Sequence, residues 1–149
     1  VRQGLLLVMS TSTTPERVVA TDSAVELLTK LSELHGGLMI HQSGGCCDGS
    51  APMCYPVGEY RIGQRDVLLG EIVLPAPLPV VFVWIGGDQF ELWKHTQLIL
   101  DVVPGRGAGF SLEAPEGVRF LSRSRVFSDE ENAVLAASPP LTGAKVNGA

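Results

Sequence analysis

Residues 21–42 read TDSAVELLTKLSELHGGLMIHQ, and this stretch decides the predicted fold because it joins a helix to a strand. Side-chain oxygens in residues 21–23 can accept hydrogen bonds from the free N–H groups of a first helical turn, and Glu26 stands at the capping-box spacing from Ser23. Gly36 can supply a left-handed cap, and residues 38–42 predict a strand. Between these signals one apolar face repeats at helical spacing: Ala24, Leu27, Leu28, Leu31 and Leu34.

The rest of the chain predicts short strands separated by turns that contain Gly and Pro. Residues 43–58 predict a loop, and residues 88–94 predict only a short helical turn. A single long helix followed by many strands favours an α+β fold, in which one N-terminal helix packs on a β-rich sandwich or rolled mixed sheet. We expect the further strands at residues 17–20, 59–62, 67–73, 80–84, 96–103, 110–113 and 118–126.

The length of 149 residues is that of one ordinary domain. We expect a flexible N-terminus over residues 1–16, a single α+β domain over 17–127, and a disordered tail over 128–149, which is polar and contains proline. Met9 has the character of a natural start, so residues 1–8 are left out of the fold prediction.

Charge and hydropathy exclude several classes of function. The net charge is -5 and no basic stripe is present, so we expect neither nucleic acid nor an anionic membrane as a partner. No apolar stretch approaches the roughly 20 residues of a membrane span. No secretion signal is recognisable, so we expect a cytoplasmic protein whose three cysteines are thiols or metal ligands.

The cysteines lie in one Gly-rich loop, which is the chemically distinctive part of the sequence. Thiolates suit Zn, Cu(I) and Fe–S clusters, and Gly44 and Gly45 would let the backbone approach an ion closely. Adjacent cysteines normally point apart and no CxxC pair is present, so reactive thiols and purely structural thiols remain alternatives. The candidate metal ligands are Cys46, Cys47, Cys54, Asp48 and His41.

Two further segments contain candidate pocket residues. Glu91, Lys94 and His95 place an acid and two bases beside Trp93, although an amphipathic turn with a buried Trp has the same composition. The alternating glycines at 105–109 do not form a dinucleotide fingerprint, because a strand rather than a helix is predicted after them. Arg106 in that segment remains a candidate for binding an anion.

The strings HQSGGCCDGS at residues 41–50 and FELWKHT at residues 90–96 resemble a bacterial family, Domain of Unknown Function 779. The likeness extends from Val18 to Phe127. Members of that family are often encoded beside aldehyde dehydrogenases. The resemblance therefore implies an accessory role with an aldehyde dehydrogenase as partner.

A more distant resemblance is to the A-type iron–sulfur carriers, the HesB-like domains. It includes the Thr21-Asp22 helix start, the GGCCDG loop at 44–49 and the GFSLEAP segment at 109–115. It implies a compact HesB-like fold that forms homo-oligomers. The carriers complete their site with a C-terminal Cys-Gly-Cys, whereas residues 122–125 here are SRSR, so only Cys46 matches a carrier ligand position.

Three hypotheses follow. The leading one is a non-catalytic accessory protein that binds a metal ion (Zn, Fe or Cu) or an Fe–S cluster through the cysteine loop. The rival is a thiol-based redox enzyme or switch, with Cys46 as nucleophile and Cys54 as resolving thiol. The third is a structural subunit that stabilises its partner through an exposed apolar face.

Overall fold

A computed structural model describes residues 14–42, 52–105 and 111–146, and these residues form an α+β fold. Seven strands and four helices follow one another in the described part of the chain, with one 3-10 turn at Ala114–Glu116. The strands are β1 (Val18–Ala20), β2 (Leu38–Gln42), β3 (Met53–Pro56), β4 (Val67–Ile72), β5 (Val81–Ile85), β6 (Thr96–Pro104) and β7 (Val118–Val126). The helices are α1 (Asp22–His35), α2 (Gly87–Trp93), α3 (Asp129–Ala136) and α4 (Gly143–Val146).

The strands form two mixed sheets. The smaller sheet has the order β1-β6-β7, with β1 parallel and β7 antiparallel to β6. The larger sheet has the order β3-β2-β5-β4, in which only the central β2–β5 pair is parallel. Two parallel strands need a crossover connection. The chain between β2 and β5 makes this crossover, and it includes β3 and β4, which form the two edge strands of the sheet.

The core lies where α1 and the inner faces of the two sheets meet. Leu28 and Leu31 of α1, Ile40 of β2 and Phe120 of β7 have no exposed surface. The two sheets are also joined by a polar contact, because the Ser122 hydroxyl donates to Gln42 Oε1 at 2.6 Å. Burial of this cluster is the main force that holds the helix on the sheets.

Helix α1 lies where it was predicted, but Gly36 has a ψ of -152° and is therefore not in the left-handed helical conformation. The Thr21 side chain, rather than that of Ser23, accepts from the Ala24 N–H, and Gly36 follows the helix at a φ of 86°. Most of the predicted apolar face is buried or half-buried, but Leu34 is 63% exposed. The helix therefore meets the core with its first three turns, and its last apolar residue faces solvent.

Three segments differ from their predictions. The predicted loop contains strand β3, which pairs with β2. The strand predicted at 59–62 is absent, and the Glu59 N–H instead closes a turn on the Pro56 carbonyl at 3.1 Å. Of the strand predicted at 110–113, the described residues 111–113 form a turn, in which the Ala114 N–H donates to the Ser111 carbonyl.

The C-terminal segment was predicted to be disordered, and the structure instead contains α3 and α4 there. Ser128 and Glu131 form a reciprocal capping box at the start of α3, and Leu135 on this helix is buried. Beyond α3, the Leu68 N–H of β4 donates to the Leu141 carbonyl at 2.9 Å. These local caps and long-range backbone bonds supply the order that the polar composition did not suggest.

Candidate functional site

The cysteine loop begins and ends at one pair of residues. His41 of β2 lies opposite Met53 of β3 in the antiparallel ladder, so the connection between two strands that are already paired consists of the nine residues 43–51 and Pro52. Cys46, Cys47, Asp48, Gly44 and Gly45 belong to these nine residues and lie outside the described part of the chain. His41 is therefore the described candidate ligand nearest to the loop in the ladder.

His41 lies in a small polar cluster. Its side chain is 4% exposed, and its Nε2 atom is 3.2 Å from Asp66 Oδ1 and 3.5 Å from the Tyr60 hydroxyl. The Tyr60 ring lies 4.5 Å from the imidazole and 4.9 Å from the Tyr55 ring. A carboxylate beside Nε2 helps to fix the orientation of the imidazole ring.

Asp66 is held in place by its own turn and by the C-terminal segment. Its Oδ2 atom accepts from the Gly63 N–H at 2.8 Å, which closes the turn before β4. Its backbone carbonyl accepts from the Gly143 N–H at 2.8 Å. A Cβ atom on Gly143 would come within 1.9 Å of the Gly63 carbonyl oxygen, so only glycine allows this close approach.

Cys54 lies on the opposite face of the same sheet. It pairs with Ile40, the neighbour of His41, and successive side chains of a strand point to opposite faces. Its side chain has no exposed surface and belongs to the hydrophobic core. Burial, and secondarily the negative charge of Glu113, raise the pKa of the Cys54 thiol far above its ordinary value. The thiol therefore stays protonated at neutral pH and is a poor ligand and a poor nucleophile.

A closed polar network surrounds the backbone of Cys54. Its N–H donates to Ser111 Oγ at 2.8 Å, and the Ser111 hydroxyl donates to Glu113. Glu113 is 1% exposed and also accepts from its own N–H and that of Phe120. Burial raises the pKa of Glu113, although the Ser111 and backbone hydrogen bonds act in the opposite direction. This network fixes the 111–117 segment to β3.

An open groove runs along the outer face of the larger sheet, on the same side as His41. Tyr60, whose ring contacts His41 at a tilt of 33°, lines this groove together with Met39, Trp84, Phe82 and Val57. Its volume is about 460 Å³. Val57 is 62% exposed and Phe82 is 40% exposed, so the groove presents apolar surface to solvent beside the polar cluster.

A second cavity lies between α2 and α3, with a volume of about 310 Å³. Lys94 and His95, two of the predicted pocket residues, line it with Arg17 and Phe90. The third, Glu91, is not among the lining residues but forms an ion pair of 2.9 Å with Lys94. Arg106 lies outside the described residues.

The structure thus separates the sequence-predicted residues. His41 and Cys54 face opposite sides of one sheet, and Lys94 with His95 belong to a different cavity. Among the described residues, no group of three His, Cys, Asp or Glu side chains could hold a metal ion. A metal site at His41 would therefore need donors from residues 43–51.

Sequence reasoning missed Asp66 and Tyr60, the partners of His41, and Arg17, which lines the second cavity. Residues 63–66 were interpreted only as a turn. No local feature of the sequence shows that the aspartate in this turn contacts a histidine 25 positions earlier in the chain. The one available signal was the isolated acid in a turn, which is too common to indicate a site.

A family model described as Domain of unknown function (DUF779) matches residues 27–126 of this chain. A search of the curated proteins found no match. Within the described ranges, no helix is long and apolar enough to cross a membrane.

Proposed function

This chain belongs to the family described as Domain of unknown function (DUF779). That description names no activity, so we propose a function from the residues of the chain itself. The protein is a non-catalytic accessory protein that binds one metal ion at His41 and the cysteine-bearing loop after it. The observation that carries this proposal is the contact between the buried His41 and the partly exposed Asp66, at the point where the loop leaves the sheet. A histidine oriented by a carboxylate is the usual arrangement of a metal-binding imidazole.

The donor set fits a borderline metal. Cys46 or Cys47 would supply a thiolate, His41 an imidazole nitrogen and Asp48 a carboxylate, which together suit Zn, Fe or Cu. The bound ion would supply either structural cross-linking of the loop or Lewis acidity. Cys54 is left out of this set because it is buried on the other face of the sheet. With Cys54 left out, fewer thiolates are available, which weakens the case for an Fe–S cluster, because such clusters are held mainly by thiolates.

The proposed partner is an aldehyde dehydrogenase, because members of this family are often encoded beside aldehyde dehydrogenases. The proposed compartment is the cytoplasm, where reduced thiols persist. Homo-oligomerisation and the HesB-like fold remain predictions from the resemblance to the carriers. A groove that exposes Val57 and Phe82 beside His41 supports a role in contacting another protein.

The first test is elemental analysis and an absorption spectrum of protein purified without oxygen. We expect Zn, Fe or Cu at about one ion per chain, lost on Cys46→Ser or Cys47→Ser substitution. Cys54→Ala is the matched control and should retain the metal, with circular dichroism used to confirm folding. Protein that folds and contains none of these metals, even after incubation with each, would overturn the proposal.

A thiol-based redox function is the second candidate, and the same His41–Asp66 pair favours it. An imidazole oriented by a carboxylate can accept a proton from a nearby thiol and so raise its nucleophilicity. The buried Cys54 is not suited to be the resolving thiol in this arrangement. This function predicts one fast-alkylating cysteine in metal-free protein, slowed by His41→Asn but not by His35→Asn. If alkylation is uniformly slow and no metal binds, the structural-subunit hypothesis is the one left.

A further inference from the structure

The cavity between α2 and α3 combines apolar walls with basic side chains. Phe90 of α2 and Leu135 of α3 supply apolar surface, and Pro139 and Pro140 extend it. Arg17, Lys94 and His95 line the same cavity. At about 310 Å³, the volume is at the small end of the range, roughly 300–1,000 Å³, that is typical of small-molecule sites.

Arg17 gives this cavity a positive charge that no described carboxylate compensates. Its Nη2 atom donates to the Leu135 carbonyl at 3.1 Å and to the Ser138 carbonyl at 2.9 Å, at the C-terminal end of α3. None of the ion pairs among the described residues includes Arg17. Lys94, in contrast, is paired with Glu91 at 2.9 Å. The cavity therefore contains one guanidinium whose charge is open to an anion.

The orientation of Arg17 is fixed before any ligand arrives. The guanidinium is planar and carries five N–H donors. Because two carbonyl oxygens hold its Nη2 atom, the other N–H groups keep a defined direction. Desolvation by burial lowers the pKa of Arg17. An anion would replace the hydration that the guanidinium has lost, and a pre-oriented donor loses little entropy on binding.

We propose that this cavity binds a small monocarboxylate with an apolar chain. The carboxylate would be held by Arg17, with Lys94 at the side, and the chain would pack on Phe90 and Leu135. One uncompensated positive charge matches one negative charge. A dianion such as phosphate fits less well, because its second negative charge would have no matching cation beside the partly negative C-terminal end of α3.

The site shares no described residue with the polar cluster around His41. The two proposals can therefore fail independently. Metal content tests the first, and carboxylate binding in metal-free or metal-loaded protein tests the second.

The experiment is a titration of the ¹⁵N-labelled full chain with sodium hexanoate, followed by amide chemical shifts at low ionic strength. Hexan-1-ol, acetate and inorganic phosphate are titrated in parallel. We expect saturable shifts in residues 90–95 and 132–138, with hexanoate binding at least about ten-fold more tightly than each of the other three, since a charge-assisted hydrogen bond and the chain both contribute.

Two pairs of variants divide the site into its charge and its apolar wall. Arg17→Gln should weaken hexanoate binding about ten-fold or more, whereas Arg61→Gln, at an exposed arginine outside the cavity, should leave it unchanged. Phe90→Ala should weaken it about five-fold, whereas Leu92→Ala, at a 75% exposed leucine on the same helix, should not.

The absence of saturable shifts in wild-type protein would overturn the proposal. So would hexanol or phosphate binding as tightly as hexanoate, or Arg61→Gln weakening binding as much as Arg17→Gln. If Arg17→Gln does not fold, the comparison of hexanoate with hexanol on the wild-type chain and the Phe90–Leu92 pair still decide the outcome.

Discussion

Two acidic side chains, Glu113 and Asp66, each lie near a residue that the sequence singled out, and their surroundings are opposite in kind. Glu113 lies in the core beside Cys54 and is enclosed by Ser111 and backbone N–H groups. Asp66 lies on the outer face beside His41, with 14% of its side chain exposed. The enclosed carboxylate has all its partners within the fold, so it stabilises structure. The carboxylate at the surface orients a side chain next to a loop, so it can serve function.

The largest expected effect comes from opening the enclosed network. Glu113→Ala leaves the Ser111 hydroxyl and the Phe120 N–H without their acceptor in the core, which should lower the free energy of unfolding by about 3 kcal/mol or more. Urea unfolding followed by circular dichroism measures this. Glu116→Ala, at an exposed acid paired with Lys30, is the matched control and should cost less than about 1 kcal/mol. Equal costs for the two variants would contradict the distinction.

Gly143→Ala tests whether the C-terminal segment holds Asp66 in position. A Cβ atom there cannot fit beside the Gly63 carbonyl, so the backbone bond from residue 143 to Asp66 should break, at a cost of about 2 kcal/mol. Amide shifts near residues 63–66 and 41 should move with it. The control is Gly36→Ala, where an added Cβ meets nothing and only backbone strain of about 1 kcal/mol is expected. Unchanged shifts at 63–66 would argue against this coupling.

Stability should depend on pH in a way that identifies Glu113. Because its pKa in the folded state is raised above the ordinary 4.5, its contribution is fully present below pH 4.5 and is lost as the pH rises through the folded value. Glu113→Gln should therefore flatten the decline in unfolding free energy above pH 4.5, and a decline as steep as that of the wild type would contradict this assignment.

Glu131 should titrate in the opposite direction and in another window. Its hydrogen bond with Arg125 lowers its pKa to about 2, so its contribution is present above pH 4.5 and is lost as the pH falls toward 2. Glu131→Gln should lower the unfolding free energy above pH 4.5, and the difference from the wild type should disappear as the pH falls toward 2. A difference that stays constant down to pH 2 would contradict this assignment.

Asp66→Asn should have the smallest effect on stability and a clear effect on metal binding. The residue is partly exposed, so the expected loss of unfolding free energy is about 0.5–1 kcal/mol. The amide cannot orient the His41 ring as a carboxylate does, so metal affinity should fall about ten-fold or more. Competition with a chromophoric chelator measures this, with Asp88→Asn as an exposed control. Unchanged affinity would remove Asp66 from the site.

Local signals in the sequence predicted much of the fold. The apolar repeat of α1, its Gly36 cap and the β-branched run of β5 are properties of neighbouring residues, and they appear where they were predicted. Strand β3 was missed because it is four residues long, contains Pro56 and is defined only by pairing with β2. Helix α3 was missed because its apolar residues do not form a stripe on one face, and because its order depends on contacts such as that from Arg17.

The candidate site could be predicted only in part, for a geometric reason. The position of His41 before the loop was visible in the sequence, but the face on which each side chain lies depends on strand register. Cys54 was grouped with His41 by proximity along the chain, and the Ile40–Cys54 pairing directs it into the core instead. Asp66 and Arg17 reach their sites through tertiary contacts of 25 and 118 positions in sequence, which no local pattern encodes.

The most direct test of the central claim is the zinc affinity of three chains, measured by chelator competition: wild type, His41→Asn and Cys54→Ala. The account predicts about one tightly bound ion in the wild type and in Cys54→Ala, and affinity at least about ten-fold weaker in His41→Asn. Equal affinity in wild type and His41→Asn, or loss of the ion in a folded Cys54→Ala chain, would contradict it.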